Sequence, residues 1–434
     1  MEVSVKRSIY IILAVFVVLG MLAAFGCSSG TSTPTTTPTT TASKAPIPIA
    51  VIAVQSGPSE PLGHQEFLGA EVAVKQVNDA GGVLGGRMLE LHEYDEGYST
   101  DVSTGSFQQA KAAGVKFVMG PHEASGAYAC IPLAKKAGII YWDAIAGTDA
   151  ATVPGYYDGL FNSPTQAKQA ALAFCGWIAS QGYKKVGVLG LNVDYGQIAQ
   201  GWADYYVANN PGTWTIVNRT WYTWGQTDVT AQMAPIVSAN PDFIWLYVYS
   251  GAQAIPAVQR IRELGYTGPI ATDWASLDDG AIAAEGGSIM EGVYSFTGWM
   301  PDPSIPEAMD FYNRYEAYCQ SKGLGALQPG DYAVSEYIGV LAYTKAIEAV
   351  GDADNNAAIA QAIYGLSDTT WITARGNQFE VLPGGLEFDP GMYIQQIHDG
   401  KVVKADFTPL TKADFGAPYV PTGFKTLLEL EQES

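Results

Sequence analysis

From Pro48 onward, short β-branched and apolar runs alternate with longer stretches in which apolar residues return every three or four positions. Residues 49–54 form a buried-strand pattern. Phe67, Ala70, Val74 and Val77 then share one helix face until Asp79, Ala80, Gly81 and Gly82 stop the helix. The cycle repeats as strand 88–93, helix 102–113 closed by Gly114, strand 116–119, helix 127–136, strand 139–142 and a short extended segment at Leu160 and Phe161. A second series opens with a helix whose face is Ala167, Ala170, Ala171, Phe174, Cys175 and Ile178. It continues as strand 185–189, helix 196–209, strand 214–220, helix 229–238, strand 243–249, helix 252–264 and strand 269–273.

Repeated strand, helix, strand order requires right-handed crossovers and parallel sheets covered on both faces. Two sheets are implied, so the predicted fold is α/β with two Rossmann-like lobes. Helical segments 306–322 and 333–349 are expected to return to the first sheet, and the strand-rich stretch 386–410 to join the second. The predicted division is 46–164 plus 297–374 for lobe 1 and 165–296 plus 375–434 for lobe 2, joined by three crossover strands. Ligands of open parallel sheets bind beyond the carboxyl ends of the strands. With two lobes, those ends face each other across a cleft.

The start of the chain changes where this fold is expected to work. Lys6 and Arg7 precede a mostly apolar run at 9–22, then Ala23, Ala24, Phe25, Gly26 and Cys27. The run is shorter than the roughly 20 apolar residues of a membrane span and ends in small residues, as a secretory signal peptide does. Cleavage is expected before Cys27, giving a signal peptide at 1–26. Residues 28–43 are almost wholly Ser, Thr, Pro and Gly, with nothing to bury, so 27–45 is expected to be a disordered tether.

Charge and cysteine usage exclude further classes. The formal net charge is -20, with 43 acidic against 23 basic residues, which disfavours nonspecific attraction to nucleic acid or anionic lipid. Without Cys27, an odd set remains (Cys130, Cys175 and Cys319), which cannot complete a disulfide framework and is expected to be buried thiols. His64, His92, His122 and His398 are scattered, so no metal site is expected. No GxSxG elbow occurs in the folded part, and HExxH and a P-loop lysine are lacking, so no enzyme and no cofactor is expected.

Several segments resemble the type 1 periplasmic binding proteins for branched-chain amino acids (Leu/Ile/Val) and related amides: PIAVIAVQSGP, GHQEFLGAEVAVKQVNDAGGVLGGRMLEL, VKFVMGP, NVDYGQ, PDFIWLYVYSG and RELGYTGPI. The small-residue-then-Cys ending at Cys27 likewise resembles a lipoprotein signal, in which the cysteine is acylated. The resemblance implies a periplasmic binding protein type I fold that closes on a small polar ligand and delivers it to the permease of an ABC importer. It also implies a monomer outside the cytoplasm, held at the membrane by its lipid. Sensing for a membrane kinase or chemoreceptor is the alternative use of the same closure.

By the same resemblance, Ser125 and Gly126 in the turn after strand 116–119 hold a ligand carboxylate, with Glu123 a departure that repels one if it faces the cleft. Ala146 and Thr148 in the next loop serve the ligand's ammonium through a carbonyl and a hydroxyl. Tyr195 and Tyr249 close over the ligand from the second lobe, Asp273 accepts from the ammonium, and Tyr332 is a further aromatic position on the first lobe. Trp142, Trp274 and these tyrosines are expected to wall the pocket.

Overall fold

The protein is described by a computed structural model that covers residues 45–56, 60–144, 146, 154–162, 167–223, 226, 228–248, 251–278, 281–325, 327–366, 374–376, 379–388, 391–411 and 425–433. The expected signal peptide, Cys27 and the tether lie outside them. No helix among the described residues is long and apolar enough to cross a membrane.

The first series of alternating segments builds β1 (Ile47–Ala53), α1 (Glu60–Asp79), β2 (Leu89–Asp95), α2 (Thr100–Ala112), β3 (Phe117–Met119), α3 (Ala124–Ala137), β4 (Ile140–Asp143) and β5 (Leu160–Asn162). The second builds α4 (Ala167–Ser180), β6 (Lys185–Leu191), α5 (Asp194–Asn209), β7 (Thr215–Tyr222), α6 (Thr230–Ser238), β8 (Phe243–Leu246), α7 (Gly251–Glu263), β9 (Ile270–Trp274), α8 (Ala281–Met290) and β10 (Tyr294–Thr297). Then come α9 (Pro306–Ser321), α10 (Asp331–Val350), α11 (Asn356–Tyr364), β11 (Val381–Leu382), β12 (Leu386–Glu387), β13 (Gly391–His398), β14 (Lys401–Pro409) and α12 (Leu427–Glu433).

Both sheets repeat one topology. The first runs β2-β1-β3-β4-β5-β12-β11 and the second β7-β6-β8-β9-β10-β13-β14. The five leading strands of each are mutually parallel, and β11, β13 and β14 run antiparallel to their neighbours. The reversal of strand order lies between β1 and β3 in lobe 1 and between β6 and β8 in lobe 2. These are the points where a crevice opens beyond the carboxyl edge of an open sheet.

The expected lobe division needs correction at its carboxyl end. β12 pairs in parallel with β5, through Leu386 and Asn162, so 381–387 belongs to the first sheet and only 391–409 to the second. Leu427 and Leu428 of α12 pack on the apolar cluster of lobe 1 formed by Phe107, Ile131 and Tyr141. A two-residue strand flanked by glycines carries too little pattern to show its sheet, which explains the error. Besides three passages between the lobes, the chain therefore makes a fourth on its way to α12.

Dense packing holds lobe 1 around α10, which has fourteen buried residues and packs against α1, α11 and β3. A Cβ on Gly69 of α1 would stand 2.1 Å from the Ala333 carbonyl of α10, so the helices approach as closely as they do only because that side chain is missing. Cys130, Cys175 and Cys319 are buried and carry no disulfide, as expected. Trp142 is fully buried and stacks on Phe161, with Phe117 tilted against it. It is a core residue of lobe 1 and not a wall of the cleft.

Candidate functional site

The carboxyl ends of β1 to β4 and the first turns of α3 and α10 form one wall of the site, and the ends of β6, β7 and β9 with the first turn of α5 form the other. The lobes touch here. Ser125 Oγ lies 3.3 Å from Asp194 Oδ2 across the cleft. Tyr195, beside Asp194, packs on a small cluster made by Ala124, Ala127 and Ala146 of lobe 1. Ser125, Gly126, Ala146 and Tyr195 thus lie near one another. Thr148 and Tyr249 lie outside the described residues.

The first turn of α3 is not left open. Glu123 caps the helix, its carboxylate accepting from the Gly126 N–H at 2.9 Å, as a helix N-terminus favours. The chain therefore supplies its own anion where the resemblance implies a ligand's carboxylate. Asp143 Oδ1 likewise accepts from the Ala146 N–H, at 2.9 Å.

Behind this turn stands an acidic group that sequence reasoning passed over. His122 Nδ1 lies 2.5 Å from Glu66 Oε1, and both side chains are almost fully buried. Burial alone would lower the imidazole pKa. The charge and hydrogen bond of Glu66, aided by Glu96 and Glu123, outweigh it and raise it above its ordinary value. Glu96, directly after β2, accepts the Glu123 N–H at 3.2 Å through Oε2. Burial pushes its pKa up to about 8, with His122 opposing and Glu66 adding to the rise. Glu66 Oε2 and Glu96 Oε1 are buried with no hydrogen-bond partner. Next to Glu96, Tyr98 adopts a left-handed backbone (φ 49°), an uncommon conformation for a residue with a Cβ. Its phenol is held well above its ordinary pKa by burial first, then by the charges of Glu123 and Glu96, with Tyr222 of lobe 2 also acting on it.

From lobe 2, Asp273, the penultimate residue of β9, has no exposed surface, and neither carboxylate oxygen has a partner of good hydrogen-bond geometry, the Trp274 N–H acting on it only weakly. Burial holds its pKa well above the carboxylate range, opposed in part by the backbone N–H of Trp274. Tyr332 lies in the first turn of α10. Its ring lies 5.4 Å from that of His122, and its hydroxyl is influenced by Asp278, Asp273 and Glu66, after burial.

A hinge network lies beneath. Trp274 Nε1 donates to Asp331 Oδ2 at 3.2 Å, so this tryptophan binds lobe to lobe. Arg375 reaches Asp331 at 2.7 Å and Glu387 at 3.1 Å, all nearly fully buried. Asp278 accepts the Asp331 N–H at 2.7 Å, the Thr297 hydroxyl at 3.0 Å and the Gln395 amide at 2.7 Å. Burial lifts its pKa to about 7, partly offset by the Asp331 N–H. A Cβ on Gly330 would meet that of Asp278 at 2.4 Å, so glycine permits this approach.

Two features lie away from the cleft. A groove of about 240 Å³ between α1 and α9, lined by residues including Val72, Gln76 and Tyr318, is on the outer face of lobe 1. Glu291, His398 and Asp399 bring possible metal-ligand atoms together at the exposed turn between β13 and β14, and no other feature directs an ion there.

Comparison with known proteins agrees with this architecture. A profile of the periplasmic binding protein family matches residues 46–401. The Leu/Ile/Val-binding protein homolog 3 of Brucella melitensis is 25% identical over 370 residues, 83% of this chain and 94% of that protein. The Leu/Ile/Val-binding protein of Escherichia coli K12 is 24% identical over 200 residues, 46% of this chain and 53% of that protein. Among solved structures, a solute-binding protein of an ABC transporter from R. palustris in complex with benzoate superposes with a TM-score of 0.74 at 19% identity, covering 88% of this chain and 99% of the other. The leucine binding protein LivK of Thermotoga maritima gives 0.73 at 20% identity, covering 84% and 99%. These two establish likeness of fold.

Proposed function

The chain belongs to the periplasmic binding protein family, and on that premise we propose that it is an extracytoplasmic solute-binding lipoprotein that captures a small polar ligand between its lobes and delivers it to an ABC importer. The supporting observation is the meeting of the two lobes over strand ends that carry unpartnered polar groups, with Ser125 opposite Asp194. A ligand that touches both walls biases a hinge towards its closed form, because it interacts more with that form than with the open one. Transport of this kind needs no catalytic group in the binding protein. Ser125, Gly126, Ala146, Tyr195, Asp273 and Tyr332 are the proposed contacts among the described residues, with Thr148 and Tyr249 completing the set, and acylated Cys27 would keep the protein beside its permease.

A thermal-shift panel on the purified protein tests the reading, using branched-chain amino acids, amides, urea, aromatic acids and amines. A ligand that binds only the folded form stabilises it by RT ln(1 + [L]/Kd), about 2.7 kcal/mol at a hundredfold excess over Kd. A rise of the midpoint for one chemical class supports solute capture. A flat response across all classes counts against it.

A further inference from the structure

We propose that the ligand is a small organic cation without a carboxylate, an amine or amidine, with a short diamine matching the two walls best. The inference rests on the solute-binding reading and narrows its ligand class. It begins from what occupies the α3 N-terminus. An α-amino acid or an aromatic acid needs a site for an anion, and the backbone N–H groups of such a turn are well suited to supply one. Here the Gly126 N–H is taken by the Glu123 carboxylate, and the Ser125 hydroxyl points to Asp194. A second anion in that turn would face Glu123 and Asp194 at short range.

The surrounding charges point the same way. Glu66, Glu96 and Glu123 gather on the lobe 1 wall, where the cation acting on Glu96 is His122, already committed to Glu66. Arg375, the buried guanidinium nearest the hinge, is held by Asp331 and Glu387. The unpartnered atoms give independent support. Asp273 is fully buried near the end of β9 with no well-formed hydrogen bond to either oxygen, the Trp274 N–H acting on it only weakly, and Glu66 Oε2 and Glu96 Oε1 are buried without partners in lobe 1. Buried carboxylate oxygens without donors are costly to keep, and an ammonium offers three donors and a compensating charge. Asp273 would accept one end of a diamine and the Glu66/Glu96 pair the other. Tyr332 and Tyr98, which respond electrostatically to these acids, would flank the apolar stem.

Isothermal titration calorimetry of the protein with putrescine, agmatine, leucine and benzoate at pH 7.5 tests the class. Saturable binding of putrescine or agmatine, at least tenfold tighter than that of leucine and benzoate, is expected. Asp273→Asn and Glu96→Gln should each weaken that binding at least tenfold while circular dichroism shows the fold intact. Tighter binding of leucine or benzoate would overturn this inference and leave solute capture standing. Failure of both amines to bind would also overturn it. In that case a midpoint shift with another class in the thermal panel would preserve the broader reading, and a flat panel would remove both. If either variant fails to fold, the salt dependence of parent binding decides. Ion pairing predicts weakening between low and high salt, and affinity independent of salt would count against a cationic ligand.

Discussion

Replacing Glu96 by Gln isolates one buried, partly unpartnered carboxyl of the lobe 1 wall. In the folded protein this carboxyl holds its proton up to about pH 8, against 4.5 for an ordinary glutamate. Its folded pKa is the higher one, so its contribution to stability is fully present below about pH 4.5 and is lost as pH rises through about 8. Within that window the native state carries one proton more than the unfolded chain, and stability falls by roughly 1.4 kcal/mol per pH unit. The loss amounts to roughly 2 kcal/mol at pH 6 and on the order of 5 kcal/mol at pH 9. Glutamine mimics the protonated acid, keeps an oxygen for the Glu123 N–H and has no charge to bury. Thermal unfolding of the ligand-free parent and variant, run from pH 4.5 to 9, should give nearly coincident midpoints at the acid end. The variant should then stand progressively higher, by several degrees at pH 9. Parallel curves at all pH values would refute the reasoning, since they would mean that Glu96 titrates alike in the folded and unfolded chains.

Other perturbations test the hinge and the helix packing. Arg375→Met strands the carboxylates of Asp331 and Glu387, which are at most 2% exposed, and should cost roughly 3–5 kcal/mol in urea unfolding. Removing both acids together with the arginine should restore most of that loss. Gly330→Ala places a Cβ against Asp278, and overpacking of roughly 1–3 kcal/mol should fall on the closed form. Ligand affinity should drop roughly 5- to 150-fold, and small-angle scattering should show a larger radius of gyration with ligand present. Gly69→Ala drives α1 off the Ala333 carbonyl and should lower the unfolding midpoint with or without ligand, separating a packing defect from a closure defect.

Most of the fold was legible because parallel sheets buried on both faces write their strands as plain apolar runs. Strands at 47–53, 185–191 and 270–274 fall within a few residues of the patterns that predicted them. The elements that were missed are those without such a signature. Helix α8 contains Gly286 and Gly287, the latter breaking its helical geometry, and β10 spans only Tyr294–Thr297. The pair β11 and β12 has two residues each. Their sheet membership follows from the contact of Leu386 with Asn162, a pairing more than two hundred residues apart that no local pattern encodes.

The sequence pointed to where the candidate residues lie in the fold but not to the acidic groups around them. Ser125, Tyr195, Asp273 and Tyr332 were placed by resemblance, and the structure collects them at the carboxyl ends of the strands. That rule alone could have drawn attention to Glu96, which follows β2 immediately, and to Tyr98 beside it. Resemblance transmits where a ligand sits because backbone topology sets that. It does not transmit ligand charge, because charge depends on what neighbouring loops place against the same turn. Here Glu123 turns back onto the Gly126 N–H, Glu96 reaches the Glu123 N–H from another strand end, and Asp194 arrives from the other lobe. Three acidic side chains from three loops converge on a helix start that in isolation favours an anion. The electrostatic preference of the cleft is therefore set by tertiary assembly, and an ion that suits the isolated turn is the one the assembled site should reject.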